Sequence, residues 1–390
     1  MSLAKKKRIL IISPRFPYPP HKGDQLVVFN CIKYLSLKYD VDLISFYDED
    51  IESRNFEEVN QYCKEIKVVK LNKINAYIQI LKSFFTDVPM QVAYFKSKKY
   101  QDILNNLLVK NKYELLLPFT LRMSQYVEHI DSKKYIHLID SMYLNMKRRS
   151  DNESGLKKII FQYEAKKVSI YEKKLIVKYD KSFVVSQIDK NVIDKYNNKI
   201  EVFPNGVEVY NCSQKSVNEN SLIIVFSGNM GYFPNQEAVI WFIENCWEKV
   251  LQLMPNAIFR IVGKNPSRKI KSMALQYNNI EVIGFVESVK EELCKANIAI
   301  APMQSGSGMQ NKILEAMAVK IPVITSTLGL GDIKAEIGKD ILIADTPDEF
   351  VKQIKYLSDN KHQQEIGNNG YNYVLEKHSW KSIIFSKIQI

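Results

Sequence analysis

Apolar residues along this chain follow two alternating rhythms. Short β-branched runs are separated by longer stretches in which apolar positions recur at helical spacing. The run Arg8-Ile-Leu-Ile-Ile-Ser13, closed by Pro14, predicts a buried parallel strand. A Pro-rich loop (Phe16 to Pro20) and His21-Lys22-Gly23-Asp24 follow, then a helix over Gln25 to Tyr39 and a strand over Val41 to Phe46. Strand, loop, helix, strand is a βαβ unit.

The same grammar predicts strands at Ile66 to Leu71, Leu115 to Pro118, Ile136 to Ile139, Ser182 to Val185 and Ile200 to Phe203. Pro204-Asn205-Gly206 is a turn signal, and the polar stretch Glu208 to Asn220 has no clear period. Beyond it the pattern restarts, with strands at Leu222 to Phe226, Ile258 to Val262, Ile280 to Ile283, Ile298 to Ala301 and Pro322 to Thr325. Helices are expected over Gln236 to Gln252 and Met309 to Val319. Two doubly wound α/β halves of similar size follow from this pattern, and 390 residues are enough for two such cores.

Composition narrows the class. The five cysteines are scattered without metal-ligand or C-x-x-C spacing, so they read as reduced core thiols. The apolar run after the basic start is too short for a signal peptide, and no stretch approaches the roughly 20 apolar residues of a membrane span. A cytoplasmic protein is expected. The formal charge of +12 is uneven: Lys133 to Lys181 holds 13 Lys and Arg against 6 Asp and Glu. That surface is either a solvated helix face or a contact for anionic lipid headgroups.

The richest chemistry lies in Ile298-Ala-Ile-Ala-Pro-Met-Gln-Ser-Gly-Ser-Gly-Met-Gln-Asn-Lys-Ile-Leu-Glu-Ala-Met-Ala318. A strand leads through a Ser/Gly loop (Ser305, Gly306, Ser307, Gly308) into a helix, which presents free N–H groups at the carboxyl edge of a sheet. Lys312 and Glu315 are three residues apart and share one helix face. The lysine suits a diphosphate and the carboxylate suits ribose hydroxyls, or the two form a local ion pair beside a flexible loop. There is no G-x-G-x-x-G after the first strand and no G-x-S-x-G elbow, which argues against a dinucleotide oxidoreductase and an α/β hydrolase.

This segment resembles the donor-site signature of glycosyltransferase family four, the retaining GT-B enzymes, with its helical L-E-A-M-A. Pro204-Asn-Gly-Val-Glu208 is similar to that family's P-N-G-V-D hinge, and Val184-Val-Ser-Gln-Ile-Asp189 to the preceding V-S-x-x-D. Phe226-Ser-Gly-Asn-Met-Gly-Tyr-Phe-Pro-Asn-Gln-Glu-Ala238 resembles the first C-terminal-domain loop, and His378-Ser-Trp380 the closing aromatic segment. The resemblance implies two Rossmann-like domains facing across a cleft: 1–206 with a crossover helix about 378–390, and 207–377 as donor domain. It departs in two places. The family's first carboxylate, eight residues before Glu315, is replaced by Ser307, and its Arg and Lys after Gly228 are replaced by Asn229, Tyr232, Pro234 and Asn235.

The resemblance implies a retaining transferase that moves a sugar from a nucleoside diphosphate sugar to an acceptor hydroxyl, without a metal or other cofactor. Lys312 would meet the diphosphate charge, with Lys264 and Arg15 as alternatives. Gly23, Gly228, Asn229 and the Ser305 loop would line the donor. Asp140, after the strand Ile136 to Ile139, would orient a sugar hydroxyl or the acceptor, or else cap the next helix. His137 reads as a core residue, and Asp48-Glu49-Asp50 matches the metal-holding D-x-D motif only formally. A lipid-linked saccharide acceptor, surface polysaccharide synthesis and contact with the inner face of an anionic membrane are expected, with no nucleic acid partner. Alternatives are a nucleotide-sugar epimerase and a non-catalytic partner of another transferase.

Overall fold

The structure is a computed structural model that describes residues 6–48, 50–194, 199–212, 221–305 and 310–390. Two compact units are present. One runs to Asn205 and includes Ile383–Ile390; the other is Gly206–Ser382.

The first unit contains strands β1 (Arg8–Ser13), β2 (Asp40–Tyr47), β3 (Glu65–Lys70), β4 (Leu115–Pro118), β5 (Tyr135–Ile139), β6 (Lys181–Val184) and β7 (Ile200–Val202). The order β3-β2-β1-β4 forms one parallel sheet and β5-β6-β7 another. Parallel bridges Leu116↔Lys134 and Phe119↔His137 join β4 to β5, so the strands continue as one twisted layer. Both faces of this layer are covered, which explains why β1 and β4 read as unbroken apolar runs and not as alternating ones. At the amino edge, Arg8 donates to Asp42 Oδ2 at 2.7 Å and to Asp42 Oδ1 at 3.0 Å, and the Tyr113 hydroxyl donates to the same fully buried carboxylate at 2.6 Å.

The second unit is a six-stranded parallel sheet. Its strands are β8 (Ile223–Ser227), β9 (Ile258–Val262), β10 (Ile280–Gly284), β11 (Ile298–Ala301), β12 (Val323–Thr325) and β13 (Leu342–Ile343). They are ordered β10-β9-β8-β11-β12-β13. Both units therefore step outward from their first strand and then reverse. The reversal lies between β1 and β4 in one unit and between β8 and β11 in the other, and loops at such a point diverge to leave a ligand crevice.

Several expectations need adjustment. The helix expected over Gln236 to Gln252 starts earlier, at Phe233, where Pro234 fits the first turn. It continues through one π turn at Ile243–Trp247 and ends at Leu253. The helix expected from Met309 is seen at Asn311–Met317. Two cysteines are not free thiols: Cys212 and Cys294 form a disulfide across 82 residues of sequence. Fold proximity, not local spacing, brings them together, so no motif announced the pair. Cys31, Cys63 and Cys246 are free.

The turn Pro204-Asn205-Gly206 leads into the second unit under Trp380. A Cβ at Gly206 would lie 2.6 Å from the Trp380 nitrogen, so only glycine fits. Val207 N–H donates to the His378 carbonyl at 2.9 Å, and Trp380 N–H returns to Val207 at 3.3 Å.

Candidate functional site

Lys312, on the helix that follows β11, reaches across the β8/β11 reversal. Its ammonium donates to Asn235 Oδ1 at 2.6 Å and to Gln310 Oε1 at 3.3 Å, and lies 5.0 Å from the centroid of the Phe226 ring. Asn235, buried on the helix after β8, donates in turn to the Asn229 carbonyl at 2.9 Å. A chain of polar contacts thus ties the two loops flanking the crevice. Burial pushes the Lys312 ammonium down to about 8, while Glu315 acts in the opposite direction.

Glu315 lies one turn further along and is exposed, with no hydrogen bond within the described residues. Desolvation by the protein packed around it raises its carboxyl above the usual range, and Lys312 partly offsets this. A carboxylate with no hydrogen bond of its own among the described residues is free to accept hydrogen bonds from the hydroxyls of a ligand.

The glycines of the first loop have structural reasons. A Cβ at Gly228 would stand 2.8 Å from Asn235 Nδ2. Gly263, at φ +147°, presses so closely on the preceding loop that a Cβ would lie 1.7 Å from the Gly228 oxygen. Met230 N–H donates to the Lys264 carbonyl at 2.9 Å, so the loops after β8 and β9 are zipped together. The Lys264 side chain is exposed beside them, and Asn229 accepts the Gly231 N–H at 3.0 Å. Ser305 donates its hydroxyl to Glu237, a carboxylate on the helix after β8 that sequence reasoning passed over. Gly306, Ser307 and Gly308 lie outside the described residues.

Gly23 and Asp140 belong to the first unit. Gly23 opens the helix Gly23–Leu35 and faces space in which a Cβ would meet nothing within 4 Å. Asp140 follows β5 and is exposed. It does not cap the next helix; Ser141 does, accepting the Leu144 N–H at 3.2 Å. Partial burial, with Asp189 and Asp24 nearby, raises the Asp140 carboxyl, and Arg148 opposes this.

The loop that carries Asp140 is held by two acids, Glu172, which the sequence did not flag, and Asp189, the last residue of the V-S-x-x-D resemblance. Glu172 accepts Met142 N–H at 2.7 Å and the Ser141 hydroxyl at 3.2 Å, and Asp189 accepts Ser141 N–H at 2.9 Å. His137 is a core residue packed against Phe119 and Phe203, and burial drives its pKa down to about 3. Asp50 pairs with Lys70 at 3.4 Å, and Glu49 lies outside the described residues. Among the described residues no group of three or more His, Cys, Asp or Glu could hold a metal ion.

Two parallel sheets of matching strand order define an α/β chain with two Rossmann-like units, and comparison with solved structures assigns the GT-B fold. The chain is similar to a sucrose-phosphate synthase from Thermosynechococcus elongatus, at TM-score 0.58 and 16% identity over 98% of this chain and 97% of the other. It is similar to Anabaena HepE, solved in complex with UDP, at TM-score 0.61 and 12% identity over 97% and 98% of the two chains.

At finer grain, residues 221–360 match the family described as Glycosyl transferases group 1, and this match together with the fold supports a glycosyltransferase. An uncharacterised 44.6 kDa protein in the cps region of Klebsiella pneumoniae is 24% identical over 97% of this chain and 98% of its own length. Among the described residues no helix is long and apolar enough to cross a membrane.

Proposed function

We propose that this chain is a retaining glycosyltransferase that moves a sugar from a nucleoside diphosphate sugar to an acceptor hydroxyl in the synthesis of a surface polysaccharide. The observation that carries the reading is the Lys312 cation, set at the β8/β11 reversal inside the segment that matches the transferase family. Lys312 neutralises the diphosphate as it leaves, and this charge matters most in the transition state. Glu315 accepts from the ribose hydroxyls, while Gly228, Asn229, Lys264 and Ser305 line the donor. No metal is required by this arrangement. HepE was crystallised with UDP and with UDP-glucose, which favours a uridine nucleotide as donor here. The cps-region relative supports the polysaccharide assignment.

The test is a thermal-shift screen of wild type and Lys312→Ala against UDP, GDP, ADP, TDP and CMP. A ligand at 100 times its dissociation constant stabilises by about 2.7 kcal/mol. Stabilisation of wild type by one diphosphate, diminished in the variant, is the expected result. Stabilisation by none of them removes the reading. Retention is read separately from the anomeric configuration of the product.

Contact with an anionic membrane surface draws support from the first unit. The helix Lys73–Ser83 exposes Ile74, Tyr77, Ile78 and Leu81, a spacing of one helical face, and Phe85 beyond it is 93% exposed. The stripe continues onto the helix Gly155–Ile176. There Leu156 and Ile159 are exposed, and Tyr163 stacks on Phe84 with ring centroids 6.2 Å apart. Lys73, Lys82, Lys157 and Lys158 stand exposed on the same two helices. Apolar side chains framed by lysines match the composition of an interfacial surface, and a lipid-linked acceptor would be met there.

A further inference from the structure

The first unit has a crevice of its own at the β1/β4 reversal, and its most unusual member is Arg122. This residue follows β4 on the short helix Thr120–Met123. One guanidinium nitrogen donates to Gln91 Oε1 at 3.1 Å, and the group lies 5.5 Å from the Phe95 ring centroid. Its Nε is buried with no hydrogen-bond partner, and no carboxylate within the described residues forms an ion pair with it. Enclosure lowers its pKa, and neighbouring Arg15 and Arg149 push the same way, with Asp24 opposing. An enclosed cation beside like charges is costly to maintain, and an incoming anion would relieve that cost.

Arg122 lines two cavities. The smaller, about 540 Å³, also has Arg148, Arg149, Asn145, Asn152 and Gln91 in its wall, with Glu153 as its one acid. The larger, about 840 Å³, has aromatic walls that include Phe16, Tyr18, Tyr94 and Phe161. Its wall also carries Asp48, Asp50, Glu52 and Glu164; of these Glu164 accepts the Met90 and Gln91 N–H groups at 3.0 Å and Asp50 pairs with Lys70 at 3.4 Å, while nearby Asp24 pairs with Arg15 at 3.0 Å. Three arginines therefore converge on one small polar pocket, and Arg122 is shared with a larger one whose wall is part aromatic and part charged. Guanidinium forks match phosphate oxygens in geometry as well as charge.

We propose that the Arg122–Arg148–Arg149 pocket binds a phosphate group of the acceptor, with the rest of the acceptor against the aromatic wall. This rests on the transferase reading and names its acceptor class: a molecule bearing a phosphate or diphosphate. A prenyl diphosphate and a soluble sugar phosphate share that chemistry, and their affinities distinguish them.

The test is calorimetric titration of the full chain, in saturating UDP, with farnesyl diphosphate, glucose 1-phosphate and inorganic pyrophosphate. Wild type is compared with Arg149→Gln, Arg122→Gln and Arg122→Lys. Arg149 is exposed, so its variant keeps the fold if Arg122→Gln does not. Phosphate affinity should fall at least about 10-fold in Arg149→Gln and further in Arg122→Gln, a change of about 1.4 kcal/mol or more. Arg122→Lys, which keeps the charge and loses the fork, should fall between. UDP affinity should not change in any of them. Tighter binding of farnesyl diphosphate than of pyrophosphate assigns a lipid-linked acceptor, and tighter binding of glucose 1-phosphate assigns a soluble one. Absence of phosphate binding, or equal binding in wild type and both glutamine variants, overturns the pocket. If arginine-dependent phosphate binding persists while no nucleoside diphosphate binds, the transferase reading falls and the pocket stands.

Discussion

The Lys312 ammonium donates to the side-chain oxygen of Asn235 at 2.6 Å, joining residues 77 apart in the chain on the helices that follow two neighbouring strands. Through this contact one cation ties together the two helices that flank the β8/β11 reversal.

Because burial holds Lys312 down to about 8, its charge is fully present below that value and lost as pH rises through it. UDP should therefore bind about 10-fold more weakly well above pH 8 than below it, since a charged hydrogen bond contributes roughly 1.5–3 kcal/mol. Lys312→Arg should remove this pH dependence. Titration calorimetry across that range measures both, and a flat wild-type profile would remove Lys312 from the phosphate site.

Glycine should be required at 263 and dispensable for folding at 23. Gly263→Ala drives a Cβ into the Gly228 carbonyl from a backbone at φ +147°, and thermal unfolding should show it as strongly destabilised. Gly23→Ala meets open space, so the melting temperature should hold. A loss of activity in a stable Gly23→Ala would mean that a ligand, not the protein, needs the missing side chain.

Burial raises Glu172 to about 7 in the folded chain, above the ordinary 4.5. A raised acid favours folding below its unfolded value, and that contribution disappears as pH rises through about 7. Stability should decline by up to about 3 kcal/mol across this window. Glu172→Gln should flatten the decline in denaturant titrations, and equal slopes in variant and wild type would contradict the assignment.

Leu81→Asp combined with Phe85→Asp should weaken sedimentation with phosphatidylglycerol vesicles at least about 10-fold, given that a buried apolar side chain contributes roughly 1.5–3 kcal/mol. Thermal stability should stay the same, because both side chains are largely exposed. Wild-type binding should also fall with added salt as the lysines are screened. Salt-independent binding, or none, would discard the membrane surface.

The sheet core was readable because parallel strands buried on both faces leave uninterrupted apolar runs. Arg8–Ser13, Leu115–Pro118 and Ile298–Ala301 show this most plainly. Leu342–Ile343 escaped notice because two residues carry no period. Lys312 and Glu315 were legible because they are close in sequence on one helix. Arg122 was not: its pocket joins a four-residue helix to arginines on the helix Met142–Asp151, and nothing local records their meeting. Glu172 was hidden for the same reason, and so was the pairing of Cys212 with Cys294.

The first unit is completed by a segment made after the second. Ile384 and Ile388 are buried in it, the Tyr135 hydroxyl donates to the Gln389 carbonyl at 3.1 Å, and Lys387 reaches Glu201 at 3.0 Å. On the ribosome the earlier unit must therefore wait, its flank uncovered, while Gly206–Ser382 is translated. A nascent chain halted before Ile383 would present a finished later unit and an unfinished earlier one. Such a chain offers chaperones and proteases a foothold that the completed protein withdraws.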